Sequence, residues 1–335
     1  VEFRGDERKG DILHDNHVTI AGYRNEKPVL SGGRRITGWR KETLDGKTVW
    51  VTSVPAVKRG RWYFTQLFVN RKRRLRPRIL RKGFFRMAEV PDLTDKTPLE
   101  EGQRRFVFHE GDICRWKNLQ DVEVVVLHFW TDEHIRIRNV NEKTRMLTLD
   151  QKTHKRLTRE GFNLWSSRYY MENIFKALSP GKWYLDRPTG KLFYMPLPGE
   201  KMEKAEFIAP VLTELVRLEG NTEDKKPVQH IRFKDITFGH TKWRYPAQTT
   251  LDQAAHDVPG AVRLRYARRC SFEDCTFTHL GGYALELLDG TTEISIIGNN
   301  LIDLGTGGIK VWHGSRRNTI TDNEIGPGGI IFHQT

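Results

Sequence analysis

Cysteine is nearly absent from this chain, and the little there is lacks a pattern. Cys114, Cys270 and Cys275 are three in 335 residues, an odd number whose spacing fits neither a disulfide framework nor a zinc site. Long uncharged apolar runs are missing too, so no segment reads as a membrane span. There is no phosphate loop, dinucleotide fingerprint, His-Glu-x-x-His metal helix or serine nucleophile elbow. Nucleotide-dependent, zinc-protease and serine-hydrolase classes therefore have no foothold, and neither a cofactor nor a metal is expected. Val1 opens the sequence with neither Met nor an apolar leader, so the compartment is not legible from it.

Acidic residues are outnumbered, 42 against 56 basic ones, for a net charge of +14 and a pI near 9.7. Such an excess suits an acidic partner: nucleic acid, an anionic polysaccharide or a membrane surface. Eight of the charges sit in the twelve residues 71–82 (RKRRLRPRILRK), and without them the excess is +6. The run alternates like the return strand of a hairpin, contains Pro77, and has no interleaved aromatics before Phe84 and Phe85. It is expected to be a solvated face, and nucleic acid is set aside as a partner.

What the sequence does have is a repeat. IRFKDITF (231–238), CSFEDCTF (270–277), ISIIGNNL (294–301) and NTITDNEI (318–325) superimpose, the last three at a spacing of 24. A second strand recurs between them as AVRLR from Ala261, ALELL from Ala284, GIKVW from Gly308 and GIIFH from Gly329. A fixed period with short β-runs and Gly or Asn at the corners predicts a right-handed parallel β-helix. Alternation within each run predicts four interior rows. They are Val216, Val262, Leu285, Ile309, Ile330; Leu218, Leu264, Leu287, Val311, Phe332; Phe233, Phe272, Ile296, Ile320; and Phe238, Phe277, Leu301, Ile325. Asn299 and Asn323 share one corner, where amides stack coil on coil. Cys275 stands at that position in its own coil and reads as a buried, inert thiol.

Residues 1–38 read as first coils, with HVTIA (17–21) and PVLS (28–31) as their strands. From 39 to 204 the pattern changes to longer strands with hairpin signals, an inserted β-rich domain containing one short helix at 169–178. The coils resume over 205–335. One of them carries a long excursion, 239–259, of the kind that builds binding sites on solenoids. The sequence stops in or just after a strand, and since a solenoid edge needs a cap, further coils are expected past Thr335.

The ordered motifs KPVLSGGRRITGW (27–39), FTQLFVNRKRRLRPR (64–78), WYLDRPTGKLFYMPLPGE (183–200), HIRFKDITFGHTKW (230–243) and DLGTGGIKVWHGSRRNTITDNEIG (303–326) resemble the bacterial β-helix proteins related to glycoside hydrolase family 141. The resemblance implies a β-helix with an interrupting β-domain, α-fucosidase or xylanase activity, and a secreted or periplasmic location. Where that family has Asn-Gly at a hairpin turn, this chain has Asn70-Arg71. Its proposed catalytic aspartates fall in coils past Thr335, so none is transferred to this sequence.

Candidate site residues come from the outward rows. Arg217, Arg263, Glu286 and Lys310 stand in register, so Glu286 lies between cations and is expected to stay ionised, as a nucleophile, a base or one rung of a charge ladder. Trp312, beside His313 and Lys310, offers a sugar a stacking face if exposed, and His333 continues that row. Glycoside hydrolysis needs two carboxyl groups, and Glu286 with Asp289, Asp303 or Asp252 are the options. His240 and His256 flank the excursion as acid/base or contact candidates. The expected partner is a polysaccharide or oligosaccharide, an acidic one being favoured by the basic row, with no membrane. A polysaccharide lyase using Arg263, Lys310 and His333, and a non-catalytic glycan-binding solenoid, remain open beside the hydrolase.

Overall fold

The computed structural model describes the backbone of residues 2–4, then residues 17–80, 82–161, 168–223, 226–245 and 253–333. Three five-stranded parallel sheets run along one axis. The first contains Glu2–Arg4, Val216–Glu219, Gly260–Arg265, Tyr283–Leu287 and Ile309–Val311. The second contains Val18–Ala21, Ile231–Lys234, Ser271–Glu273, Ser295–Ile297 and Thr319–Thr321, and the third Val29–Ser31, Thr237–Gly239, Thr276–Leu280, Asn300–Leu304 and Glu324–Ile325. Each turn of chain contributes one strand to every sheet, which makes the parallel β-helix that the 24-residue period calls for.

The register keeps the rows in phase, although Val311, Ile320 and Ile325, expected inside, are exposed. Val216, Val262, Leu285 and Ile309 are successive partners, and so are Phe233, Phe272, Ile296 and Ile320. Ring stacking follows from it: Phe233 lies 5.0 Å from Phe272 and Phe238 lies 4.8 Å from Phe277, nearly parallel in both pairs. Between the second and third sheets the corner residue is Asp235, Asp274, Gly298 or Asp322, each at positive φ. Short side chains that tolerate the left-handed region explain why Asp and Gly recur there.

Next to that corner the amides do stack. Asn299 Nδ2 donates to Asn323 Oδ1 at 2.9 Å and to Phe272 O, and its Oδ1 accepts from the Cys275 N–H at 3.0 Å. Cys275 itself is a buried free thiol whose pKa burial pushes up to about 11. Replacing Asn299 by Ala strands a buried N–H and a buried carbonyl, so a loss of about 2–3 kcal/mol of unfolding free energy is expected in denaturant titrations. The same change at the less buried Asn323 should cost less; equal costs would mean the ladder holds nothing together.

One expected strand does not form. Residues 329–333 leave the coil stack: the Ile331 and Phe332 N–H groups donate to Gly305 O, and Phe332 is buried against Trp243, Tyr245 and His134. An aromatic pocket beside the excursion captures Phe332 in place of the interior row, so Ile330 and Phe332 drop out of the two rows assigned to them.

The chain departs from the coils after Ser31 and rejoins them at Val216. In between lie two four-stranded sheets and a seven-stranded one. In the last, Phe85–Glu89 pairs with both Arg105–Phe108 and Arg168–Glu172, so six of its strands close into a barrel around Val124, Val126, Ile135, Leu147, Tyr169 and Met171. The short helix expected at 169–178 is a correction: Arg168–Glu172 is a strand, and only Phe175–Ala177 makes a 3₁₀ turn. Tyr169 and Met171 point into the barrel while Tyr170 points out, a period of two that outweighs helix propensity. No helix among the described residues is long and apolar enough to cross a membrane.

Candidate functional site

The hairpin of Leu67–Val69 and Lys72–Arg74 turns at Asn70 and Arg71, both at positive φ, the backbone that Asn-Gly would adopt with less strain. Its return strand carries the basic run, and here the structure corrects the expectation of a solvated face. Arg73 pairs with Asp303 at 2.7 Å, Arg74 with Glu200 at 2.5 Å, and Arg76 with both Glu123 and Glu172. The strand runs between insertion and coils, so its outward arginines meet carboxylates brought from elsewhere in the chain.

The Arg76 cluster follows from strand register. Glu123 is the direct partner of Arg136 on one side and of Glu172 on the other, all on the outer face of the barrel. Two glutamates side by side repel each other unless a cation bridges them. The Arg76 guanidinium does so, with its side chain 4% exposed. Burial alone would raise the Glu123 carboxyl, but Arg76 overrides it and holds the group at about 2. The Tyr63 hydroxyl donates to the other Glu123 oxygen at 3.2 Å, and burial, then the Glu123 charge, push its pKa up.

His134 stands one row away. Its side chain is 4% exposed, its ring nitrogens have no hydrogen-bond partner among the described residues, and Nδ1 lies 3.9 Å from Glu123 and 4.0 Å from Glu172. Glu123, His134 and Glu172 offer metal-ligand atoms within 4.8 Å of one another. Arg76 already occupies both carboxylates, so the set fits an ion cluster better than a metal. Glu123 and His134 line a cleft of about 610 Å³ walled by Trp62, Tyr63, Trp243 and Leu212, with Arg61, Arg136, Lys242 and Arg244 around it.

The residues singled out from sequence fall into separate places. Glu286, Arg263, Lys310 and Trp312 come together: Glu286 accepts from Arg263 Nε at 2.7 Å, Lys310 Nζ at 2.8 Å, Trp312 Nε1 at 3.1 Å and the Gly260 N–H at 3.1 Å. Burial opposes its ionisation, yet Lys310 and Arg263 win and lower its pKa. It is 3% exposed beneath the end of the excursion, whose His256 and Val258 carbonyls accept from Lys310. Trp312 is half-buried, spending its N–H on Glu286 and meeting the edge of His256. Its ring is therefore only partly open.

Asp303 and His240 share a second cavity of about 760 Å³ with Arg73 and His279. The two imidazoles stack at 5.2 Å, and burial drops His240 to about 4, so it is neutral at physiological pH. His333 pairs with Asp132 at 3.2 Å, far along the chain from the coil row assigned to it. His256 pairs with Asp257, and the exposed His313 lies 3.6 Å from Asp289. Asp252 lies outside the described residues.

Sequence reasoning missed the cleft. Its one available signal was Glu123 inside DVEVVVL, a charge placed in an otherwise apolar strand, which requires a buried cation nearby.

Two family models match. Residues 46–197 match the GH141 insertion domain and residues 252–330 the right handed beta helix region. A solved structure titled "Glycoside hydrolase" superimposes with a TM-score of 0.70 at 25% identity over 93% of this chain. This chain spans 57% of that structure's length. A second, "The complex structure of XylC with xylose", is 12% identical with a TM-score of 0.43, over 94% of this chain and 45% of that one. No curated protein matches.

Proposed function

We propose, for a chain that joins a GH141-type insertion domain to a right-handed β-helix, that it is a carbohydrate-active protein and serves a glycoside hydrolase that degrades polysaccharide. The observation that carries this reading is the cleft where insertion meets coils. Trp62, Tyr63 and Trp243 supply apolar ring surface, and Glu123, Arg136 and the cations around it supply the few polar groups that fix a sugar's orientation. A volume of about 610 Å³ suits a short run of sugar units.

The chemistry within the cleft is constrained. Hydrolysis of a glycosidic bond takes one carboxylic acid and one carboxylate. Glu123 is held ionised by Arg76, so it cannot donate a proton near neutral pH; it can accept a hydrogen bond from a sugar hydroxyl. Its role in this reading is positioning. Glu286 is likewise committed to four internal donors. A polymeric substrate does not enter the cytoplasm intact, so the same reading implies a secreted or periplasmic protein.

The test offers fucosylated, xylan and uronate polysaccharides to the chain, following tryptophan fluorescence, new reducing ends and ultraviolet-absorbing unsaturated uronate. Binding quenched by one glycan, with reducing ends and no unsaturation, is expected. Trp62→Ala should weaken that binding about tenfold, as loss of a central aromatic contact does. Unsaturated product would replace the hydrolase by a lyase, and binding without product by a glycan-binding solenoid. No binding to any glycan would overturn the reading.

A further inference from the structure

Several of the less exposed cations among the described residues are ion-paired at short range. Arg73, Arg74, Arg187, Arg217 and Lys310 each lie within 2.5–2.8 Å of a carboxylate. The cations of the cleft are not so paired. Arg61, Arg136, Lys242 and Arg244 all line it, and among the described residues none of the four has an ion-pair partner. Arg136 stands directly across from Glu123 on the neighbouring strand, but the two Glu123 oxygens are taken by Arg76 and Tyr63. Its guanidinium rests instead over the Tyr63 ring, 4.7 Å from the centroid. Glu123 is the one carboxylate in the cleft wall, and its oxygens are already engaged by Arg76 and Tyr63, so four lining cations outnumber the single lining anion.

A neutral sugar leaves that imbalance standing, because hydroxyl groups are weak acceptors beside a guanidinium. An anionic substituent removes it, and a planar fork such as Arg136 is shaped for a two-oxygen anion. The unpartnered His134 nitrogens at the floor add donors or acceptors for a neighbouring hydroxyl. We infer that the glycan taken by this cleft is anionic, carrying a carboxylate or sulfate group that Arg136 and the Arg61, Lys242 and Arg244 rim hold. This rests on the carbohydrate reading above and narrows its substrate class.

The experiment compares matched oligosaccharides: a uronate oligomer, the same oligomer with its carboxyl groups reduced to alcohols, and a sulfated oligomer with its desulfated parent. Affinities are measured by tryptophan fluorescence and calorimetry at low and high salt. The charged member of one pair is expected to bind at least about tenfold tighter than its neutral partner, with the gap closing as salt rises. Whichever pair shows the gap names the source of the charge. Arg136→Gln should weaken the charged member far more than the neutral one and so erase the gap between them. Arg244→Gln, at an exposed rim position where misfolding is not a concern, should halve it or more. Equal affinities for charged and neutral partners would overturn the anionic inference while leaving the carbohydrate reading intact. Binding of neither would overturn both. A gap that survives both substitutions would move the anion out of this cleft.

Discussion

Arg76→Met is expected to destabilise the protein by about 3–5 kcal/mol near neutral pH, the cost of leaving buried carboxylates without their cation. Met keeps most of the side-chain volume, so the loss reports charge and not a cavity. The pH dependence supplies the decisive sign. In the parent, Glu123 sits at about 2 against an ordinary 4.5, so its contribution to stability is fully present above 4.5 and is lost as pH falls through 2. In the variant the cation is gone and burial raises the folded Glu123 carboxyl instead. Protonation then relieves the variant's folded state as pH falls toward 4.5, and below 4.5 the parent loses its own contribution, so the deficit shrinks on both sides of 4.5. Urea midpoints at neutral pH and just below 4.5 check this. A deficit that is small, or that stays constant with pH, would mean the cluster is not held as described. Arg76→Lys should fall between, because it keeps the charge while the shorter, compact ammonium does not reproduce the reach of the Nη2 that bonds both carboxylates.

Lys310→Met is the second large effect, again about 3–5 kcal/mol, because it removes one partner of a buried pair. Lys310 Nζ bonds Glu286 and the carbonyls of His256 and Val258, so it ties the end of the excursion to the coil. Its loss should expose 253–259 to protease while the coils stay folded. Glu286→Gln in the same background should recover part of the cost, since the two groups share one network and their effects cannot add. If the double variant is as unstable as the two single losses summed, Lys310 and Glu286 act independently and the tether account fails.

The coils were readable from sequence because their determinants are local and periodic: a spacing of 24, phenylalanines in phase, Asp or Gly at the left-handed corner. Even the strained turn at Asn70 and Arg71 could be read. The basic run could not. Alternation says which face a side chain takes, but not what covers that face. Arg73 meets Asp303 across 230 positions, Arg74 meets Glu200 across 126, and Arg76 meets Glu172 across 96. Phe332 misled for the same reason: its place in an interior row was locally sound, and an aromatic pocket built by Trp243, Tyr245 and His134 competed for it. The candidate site was harder still, because Glu123 reads as one letter of a buried strand until register sets it beside Glu172 and Arg136. Glu286, by contrast, was placed correctly between Arg263 and Lys310, while its covering by the excursion was not legible.

The position of the insertion bears on how the molecule is made. Val18–Ala21 pairs with Ile231–Lys234, so this coil strand finds its partner more than 200 residues later in synthesis. At synthesis rates of about 5–20 residues per second, that strand waits on the order of ten seconds or longer with an unpaired edge. The closed barrel, whose pairings all lie within Arg78–Glu172, can be complete by then. The N-terminal coil strands of this chain can therefore be joined to the later coils only after the intervening barrel has had time to fold.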